Sequence, residues 1–349
     1  MNPDILSNFY LSAVTPLGFS SRLAAICDPE LFDRIILLKG GSPAMRSQLL
    51  SDAAEYAEKG GAAVKRILSA FNKDRSEAVF WNRTAVIDAA APSPIEPGLP
   101  TAFEDIVWLG GCYDSLGLRQ KREELIDLDN SESDALEQSR KLLFAADELQ
   151  KHNSRAALRC ADIGKIERQA LRSAKKYIRP SGGAVHSFIS RSQFGSRIVS
   201  LPPDFSLTLL QDSHGGCAQL FLKTLLWEAK RQKCHVIVFY SPLAPYQLID
   251  LLLLPDPKVC FAVESPQLSI AHPVSSIINA RRFTDKHRLA QLSDHLKFNK
   301  KAADKLYQRA GFYFDQASCF RQKKEKIYNC FLNDAAFDNL RQAFFANIL

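Results

Sequence analysis

Four consecutive apolar residues, Ile35 to Leu38, lie between Arg34 and Lys39. A run of that length with charged ends predicts a strand buried on both faces. A glycine turn follows. Leucines and alanines then fall on one face of a helix over Ser47–Gly60, which Gly60 and Gly61 end. Val64–Leu68 predicts a second strand. TAVIDAAAP predicts a third, with Asp88 near its end and a stop at Pro92. A Pro-rich loop, Ala91 to Pro100, leads to a short predicted helix around Phe103–Gly111. Strand, helix and strand alternating in this way predict a parallel sheet of the α/β class. From Ser115 to Ile178 leucines and charges interleave at helical spacing with no proline. Two or more long helices are expected there, an antiparallel hairpin being one arrangement. RPSGG, Arg179 to Gly183, interrupts them as a linker.

Beyond the linker the pattern repeats in order. His186–Ile198 echoes Asn8–Phe19, and Ser206–Lys233 echoes the strand, turn and helix that begin at Arg34. HVIVFY takes the place of the second strand and VCFAVESP that of TAVIDAAAP. HPVSSIINARRFTD follows as FEDIVWLGGCYD does in the first half, and Leu289–Phe345 is again basic and helical. Gly40 to Asp88 spans 48 residues, and the matching Asp212 to Glu264 spans 52. The expected organisation is two related halves, residues 1–180 with a helical extension over about 115–178, and residues 181–349 with a C-terminal helical extension.

Composition narrows the class only slightly. Hydrophobic content of 46% and charged content of 24% match a soluble globular protein. No apolar stretch is long enough to span a membrane. The opening MNPDILSNFY lacks the basic and apolar regions of a signal peptide, so a cytoplasmic location is expected. Eight scattered cysteines with no C-x-x-C pair are expected to be reduced, half-buried residues. The net charge of +7 is a weak pointer to nucleic acid. The histidines show no paired spacing, so no metal centre is expected from them, and only His214 falls inside a loop of interest.

The two strand-to-helix turns are where chemistry would sit. The phosphate-binding P-loop, G-x-x-x-x-G-K-[S/T], turns its N–H groups on the phosphates, neutralises them with lysine and holds Mg²⁺ with the hydroxyl. The first turn places Gly40 first and Met45, Arg46 and Ser47 where glycine, lysine and hydroxyl belong. Pro43 removes a donor, Met45 brings a side chain where phosphate must approach, and arginine is a planar fork rather than a point charge. Either a residual phosphate site survives on Gly40, Gly41, Arg46 and Ser47, or a relic turn joins strand to helix. Asp88 is a candidate Mg²⁺-water ligand with Ser47, or equally a turn former. The second turn, DSHGGCAQ, has Asp212, Cys217, Ala218 and Gln219 at the corresponding positions, and the charge of Asp212 works against phosphate. Glu264 is the weaker counterpart of Asp88. RQKKEK, Arg321 to Lys326, with Phe320, Tyr328 and Phe331 nearby, reads as a solvated helix face in preference to a nucleic-acid contact.

With both halves laid out, the chain resembles a bacterial family of tandem P-loop ATPase-like proteins of unassigned role. LLKGGSPAMRSQLL is similar to that family's strand, loop and helix, whose pattern is G-G-x-G-x-G-K-S. VIDAAAPSPIEPGLPTAFEDIVWLGGCYD is similar to its V-D-G-T-A-P-H, proline loop and D-E-I-x-N-L-G segment. The resemblance covers nearly the whole chain, more faintly in the second half. It implies two P-loop NTPase-like domains of three-layer α/β/α form, each with a helical extension. Of the family's functional positions, Gly40, Gly41, Ser47 and Asp88 match in kind. The expected protein is a degenerate member: a pseudo-ATPase with weak or no hydrolysis, acting as a scaffold for an unidentified protein partner. An atypical NTPase or nucleotide kinase using ATP and Mg²⁺ at the first loop is the alternative, and a nucleic-acid-associated protein a third. If the loops are fully degenerate, no cofactor is expected. Arg281 or Arg282 serving the other half as a cis arginine is left open by the sequence.

Overall fold

The computed structural model describes residues 8–72, 74–192, 194–195 and 197–348. The first seven residues of the opening segment, and Gln193 and Ser196 of the segment that echoes it, lie outside the described residues. In chain order the elements are β1 (Asn8–Tyr10), β2 (Ser12–Thr15), β3 (Gly18–Ser21), β4 (Arg34–Lys39), α1 (Pro43–Lys59), β5 (Val64–Leu68), β6 (Ser76–Trp81), β7 (Thr84–Asp88) and β8 (Glu104–Trp108). Helices α2 (Ser115–Gln120), α3 (Arg122–Arg159) and α4 (Ile163–Tyr177) follow. The second series is β9 (Val185–Ile189), β10 (Arg197–Ser200), β11 (Ser206–Gln211), α5 (Gly216–Arg231), β12 (Val236–Tyr240), β13 (Ile249–Leu254), β14 (Val259–Val263), β15 (Leu268–Ala271) and β16 (Val274–Asn279). It ends in α6 (Lys286–Gln291), α7 (Ser293–Cys330) and α8 (Asp334–Ile348).

The α/β class expected from the sequence holds. In the first lobe the strands run β1-β5-β6-β7-β4-β8, and in the second β9-β12-β13-β14-β11-β16. Pair by pair the directions agree: parallel, antiparallel, antiparallel, parallel, parallel. The repeat is therefore present in strand order and direction as well as in sequence. Several elements differ from expectation. SEAVFW and IDLLLL form the antiparallel strands β6 and β13, where the sequence had shown only connection. The short helix expected near Phe103 is the edge strand β8 followed by a 3₁₀ turn, Leu109–Cys112. Its exposed Ile106 and Trp108 alternate with more buried residues, the period of a half-covered edge.

Each lobe buries a helix on its sheet. Leu49, Leu50, Ala53, Ala54 and Ala57 of α1 meet Ile36, Leu38, Val79 and Val86. Phe221, Leu222, Leu225 and Ala229 of α5 meet Val236, Val238, Leu252 and Phe261. Phe344, with Phe337 and Leu340, brings α8 onto the core of the first lobe. Ile166, Ala170 and Ala174, spaced by four on one helical face, bring α4 into the core of the second. The final helix of each half thus serves the other half's sheet. Main-chain bonds repeat the exchange. Asn333 N donates to Cys112 O (2.8 Å) and Asp114 N to Phe331 O (2.9 Å). Asp162 N donates to Phe283 O (2.8 Å) and Asp285 N to Cys160 O (2.8 Å).

The sequence divides the chain near residue 180, whereas the compact units divide inside the long helices. Phe19–Ser139 belongs with the chain from Gly311 onward, and Arg140–Ala310 with Val14–Gly18. The long helices α3 and α7 have 38 residues each, and α2 and α6 are each capped by an aspartate, Asp114 and Asp285, that accepts two amide bonds. Among the described residues no helix is long and apolar enough to cross a membrane.

Candidate functional site

In the first lobe only Gly40, Gly41 and Ser42 separate β4 from α1. The helix begins at Pro43, four residues earlier than the sequence suggested. Ser42 caps it by accepting from Met45 N at 3.2 Å, and proline at the first helical position loses no bond it would otherwise make. Both glycines have positive φ, 71° and 65°. A Cβ on Gly40 would stand 2.8 Å from the backbone nitrogen of Gly110, so the turn is open only to glycine.

Arg46 lies inside this turn and is 4% exposed. Its Nε donates to Asp88 Oδ1 at 2.7 Å, and its Nη1 donates to the carbonyls of Gly40 (3.0 Å) and Gly41 (2.7 Å). Asp88 Oδ1 also accepts from Ala90 N at 3.1 Å. The fork of the guanidinium satisfies three acceptors at once, which lysine could not do with this geometry. The structure therefore brings Gly40, Gly41, Arg46 and Asp88 together, with the two charges directed at each other. Ser47 is half-buried, and its hydroxyl makes no hydrogen bond among the described residues. Lys39 pairs with Glu96 at 2.5 Å.

In the second lobe Asp212–Gly215 joins β11 to α5. Asp212 Oδ1 accepts from His214 N (3.0 Å) and Oδ2 from Ala218 N (2.9 Å). A carboxylate from the chain itself thus occupies the helix amides that would face a bound anion. Gly215, at φ 81°, is the residue before the helix. Gln219 is clamped to β13: its Nε2 donates to Ile249 O (2.7 Å) and its Oε1 accepts from Ile249 N (2.9 Å). Burial pushes the Cys217 thiol up to about 12, with the Asp212 charge acting in the same direction. Burial lowers the pKa of His214, Lys300 adding to the effect and Asp212 opposing it. Glu264 is exposed and accepts from Gln211 Nε2 at 3.3 Å.

Sequence reasoning passed over a second matched pair. Ser76 is paired with Leu68 and Ile249 with Tyr240 in the two sheets, which makes Glu77 and Asp250 equivalent. Both are acids inside apolar strands, Glu77 buried and Asp250 half-buried. Burial raises the Glu77 pKa to about 7, the nearby Asp88 charge adding to it, while Ala70 N bonds Oε1 at 2.9 Å and works the other way. Burial also raises that of Asp250, opposed by a hydrogen bond from Ser190 Oγ (2.5 Å) and by Arg191. The signal in the sequence was a single acid inside SEAVFW and inside IDLLLL.

The basic C-terminal run is largely engaged. Arg321 donates to Glu132 and its guanidinium lies 3.8 Å from the Phe71 ring centre. Lys324 pairs with Asp129 and Glu132, and Glu325 pairs with Arg75. Among the described residues no group of three or more His, Cys, Asp or Glu side chains could hold a metal ion. No family model, curated protein or solved structure matches the chain, so its function has to be argued from these turns and from the surfaces beside them.

Proposed function

We propose that this chain is a degenerate tandem P-loop protein, two three-layer α/β/α lobes kept as a cytoplasmic binding or scaffold module rather than as an NTP hydrolase. The single observation that carries this reading is Arg46, held between Asp88 and the carbonyls of Gly40 and Gly41. Phosphoryl transfer depends on a free cation at the phosphates and a carboxylate that positions Mg²⁺ and its water. Here Arg46, at the position of the phosphate-binding cation, and Asp88 neutralise each other, and the neighbouring Lys39 is paired with Glu96. The second turn has its own carboxylate on the helix amides. An anion would have to displace a partner in either place. The protein partner of such a scaffold is unidentified.

Thermal melting of the full chain with and without millimolar Mg²⁺-ATP and Mg²⁺-GTP tests the reading. It expects no shift. A ligand at roughly 100 times its dissociation constant adds about 2.7 kcal/mol, a rise of a few degrees. A rise of that size that Ser47→Ala abolishes would replace the scaffold with an atypical NTPase or nucleotide kinase acting through Ser47 and Asp88.

A further inference from the structure

The second lobe carries a cleft of about 820 Å³ beside its turn. Arg281, Arg282, Lys286, Lys297 and Lys300 line it together with His214, and no acidic residue does. All five permanent cations are exposed, and among the described residues none of them makes an ion pair. The paired cations of the α7 C-terminal half, Arg321 and Lys324, show the contrast. Asp285, beside Lys286 in sequence, has its carboxylate engaged with the amides of His287 and Arg288. Asp212 is likewise engaged with its own turn. In the first lobe the positions of these five cations hold Gly110, Gly111, Ser115, Ile126 and Asp129. None of the five is therefore shared by the two copies of the repeat, although Arg119 and Arg122 stand at the positions of the lining residues Ala290 and Ser293.

Five unpaired cations converging on one concavity repel one another unless an anion joins them. The volume lies in the range of sites for small organic ligands. Leu289, Ala290 and Leu296 give the cleft an apolar wall. Apart from His214 there is no aromatic ring among the lining residues, so the stacking platform that single-stranded nucleic acid uses is missing. No carboxylate is present to hold a divalent cation. We infer that this cleft binds the polyphosphate group of a small molecule, directly on Arg281, Arg282, Lys286, Lys297 and Lys300 and without a metal ion. The cleft adjoins the second turn through Ser213 and His214, while the Ala218 amide remains with Asp212 and neither of those two residues lines it.

Calorimetric titration of the full chain with inorganic tripolyphosphate in EDTA reads this out. Saturable one-to-one binding is expected, weakened roughly tenfold or more by Arg281→Ala/Arg282→Ala and by Lys297→Ala/Lys300→Ala. Both pairs are exposed, so the melting temperature of the free protein serves as the folding control and should not move. Added Mg²⁺ should weaken binding by competing for the phosphates. ATP in EDTA binding tighter than tripolyphosphate, with the same dependence on both pairs, would support an organic polyphosphate that uses the apolar wall. ATP binding more weakly, with that dependence retained, would support an inorganic one. Binding that ignores both pairs, or that requires Mg²⁺, would overturn the inference. So would a thymidine oligonucleotide that binds more tightly than tripolyphosphate through the same four side chains, since it would assign the surface to nucleic acid.

Discussion

In the first lobe a guanidinium lies inside the turn after β4 and donates to its carbonyls; in the second a carboxylate lies against the turn after β11 and accepts from its amides. The two turns occupy the same place in two lobes of the same strand order. A strand that ends where a helix begins leaves backbone groups without partners, and something must satisfy them. An external anion is one solution. A side chain of either sign is another, provided the turn presents the complementary backbone group. In both turns a side chain of the chain itself satisfies the backbone groups that an anion or other ligand would otherwise meet. The two plugging side chains are held differently: Arg46 is buried against a second charge, whereas Asp212 accepts one amide of its turn and one of the first turn of α5.

Breaking the first plug should have the larger effect. Arg46→Ala leaves Asp88 and two glycine carbonyls without their donor in a site from which water is mostly excluded. Removing one partner of a buried ion pair costs about 3–5 kcal/mol. Urea denaturation should show a loss of that order. A loss under about 1 kcal/mol would mean that solvent replaces the guanidinium and that the turn is open after all.

Glu77 sharpens the comparison through pH. Its pKa in the folded chain is about 7 against an ordinary 4.5. The unfolded chain therefore ionises first as pH rises. The folded state bears no penalty below about 4.5, accumulates it between about 4.5 and 7 and carries all of it above, about 3 kcal/mol in total. Glu77→Gln should flatten that part of the stability–pH curve and raise stability at pH 8 more than at pH 5. Asp250→Asn should act in the same direction, since burial raises the pKa of Asp250 as well, opposed by Ser190 and Arg191. Equal effects at the two pH values for Glu77→Gln would remove this account.

Much of the architecture was legible because it depends on apolar runs. Ile35–Leu38, the α1 leucines and the ordered repeat of the two halves all follow from burial. The antiparallel strands β6 and β13 were hidden because each is a short apolar run with an acid inside it, and a run of that length does not declare its partner. The helix exchange was hidden for a different reason. The apolar face of α4 or α8 specifies that it must be covered, and nothing in its sequence states by which half. At the turn, the loss of glycine and lysine was visible, but the role of Arg46 was not. Whether a cation faces a phosphate or the carbonyls of its own loop is decided by where the helix begins. That start is set by Ser42, which the motif leaves free, and by Pro43, which had counted only as a departure from it.

The second plug gives a smaller and more divided result. Asp212→Ala removes the acceptor for His214 N and Ala218 N and should cost about 1 kcal/mol, the usual net loss for a hydrogen bond of this kind. Asp212→Asn keeps one amide acceptor while removing the charge, so its stability should fall by less than that of the alanine variant. The same substitution removes a negative charge close to His214, which lines the basic cleft. In screened solvent, a charge beside the cleft should matter to a tripolyphosphate by about threefold in affinity at low salt. Asp212→Asn is therefore expected to tighten tripolyphosphate binding by that factor, with the gain fading as salt is raised. Unchanged affinity at low salt would place the bound phosphates beyond the reach of the turn, leaving the second lobe with a plug and a cleft that do not sense each other.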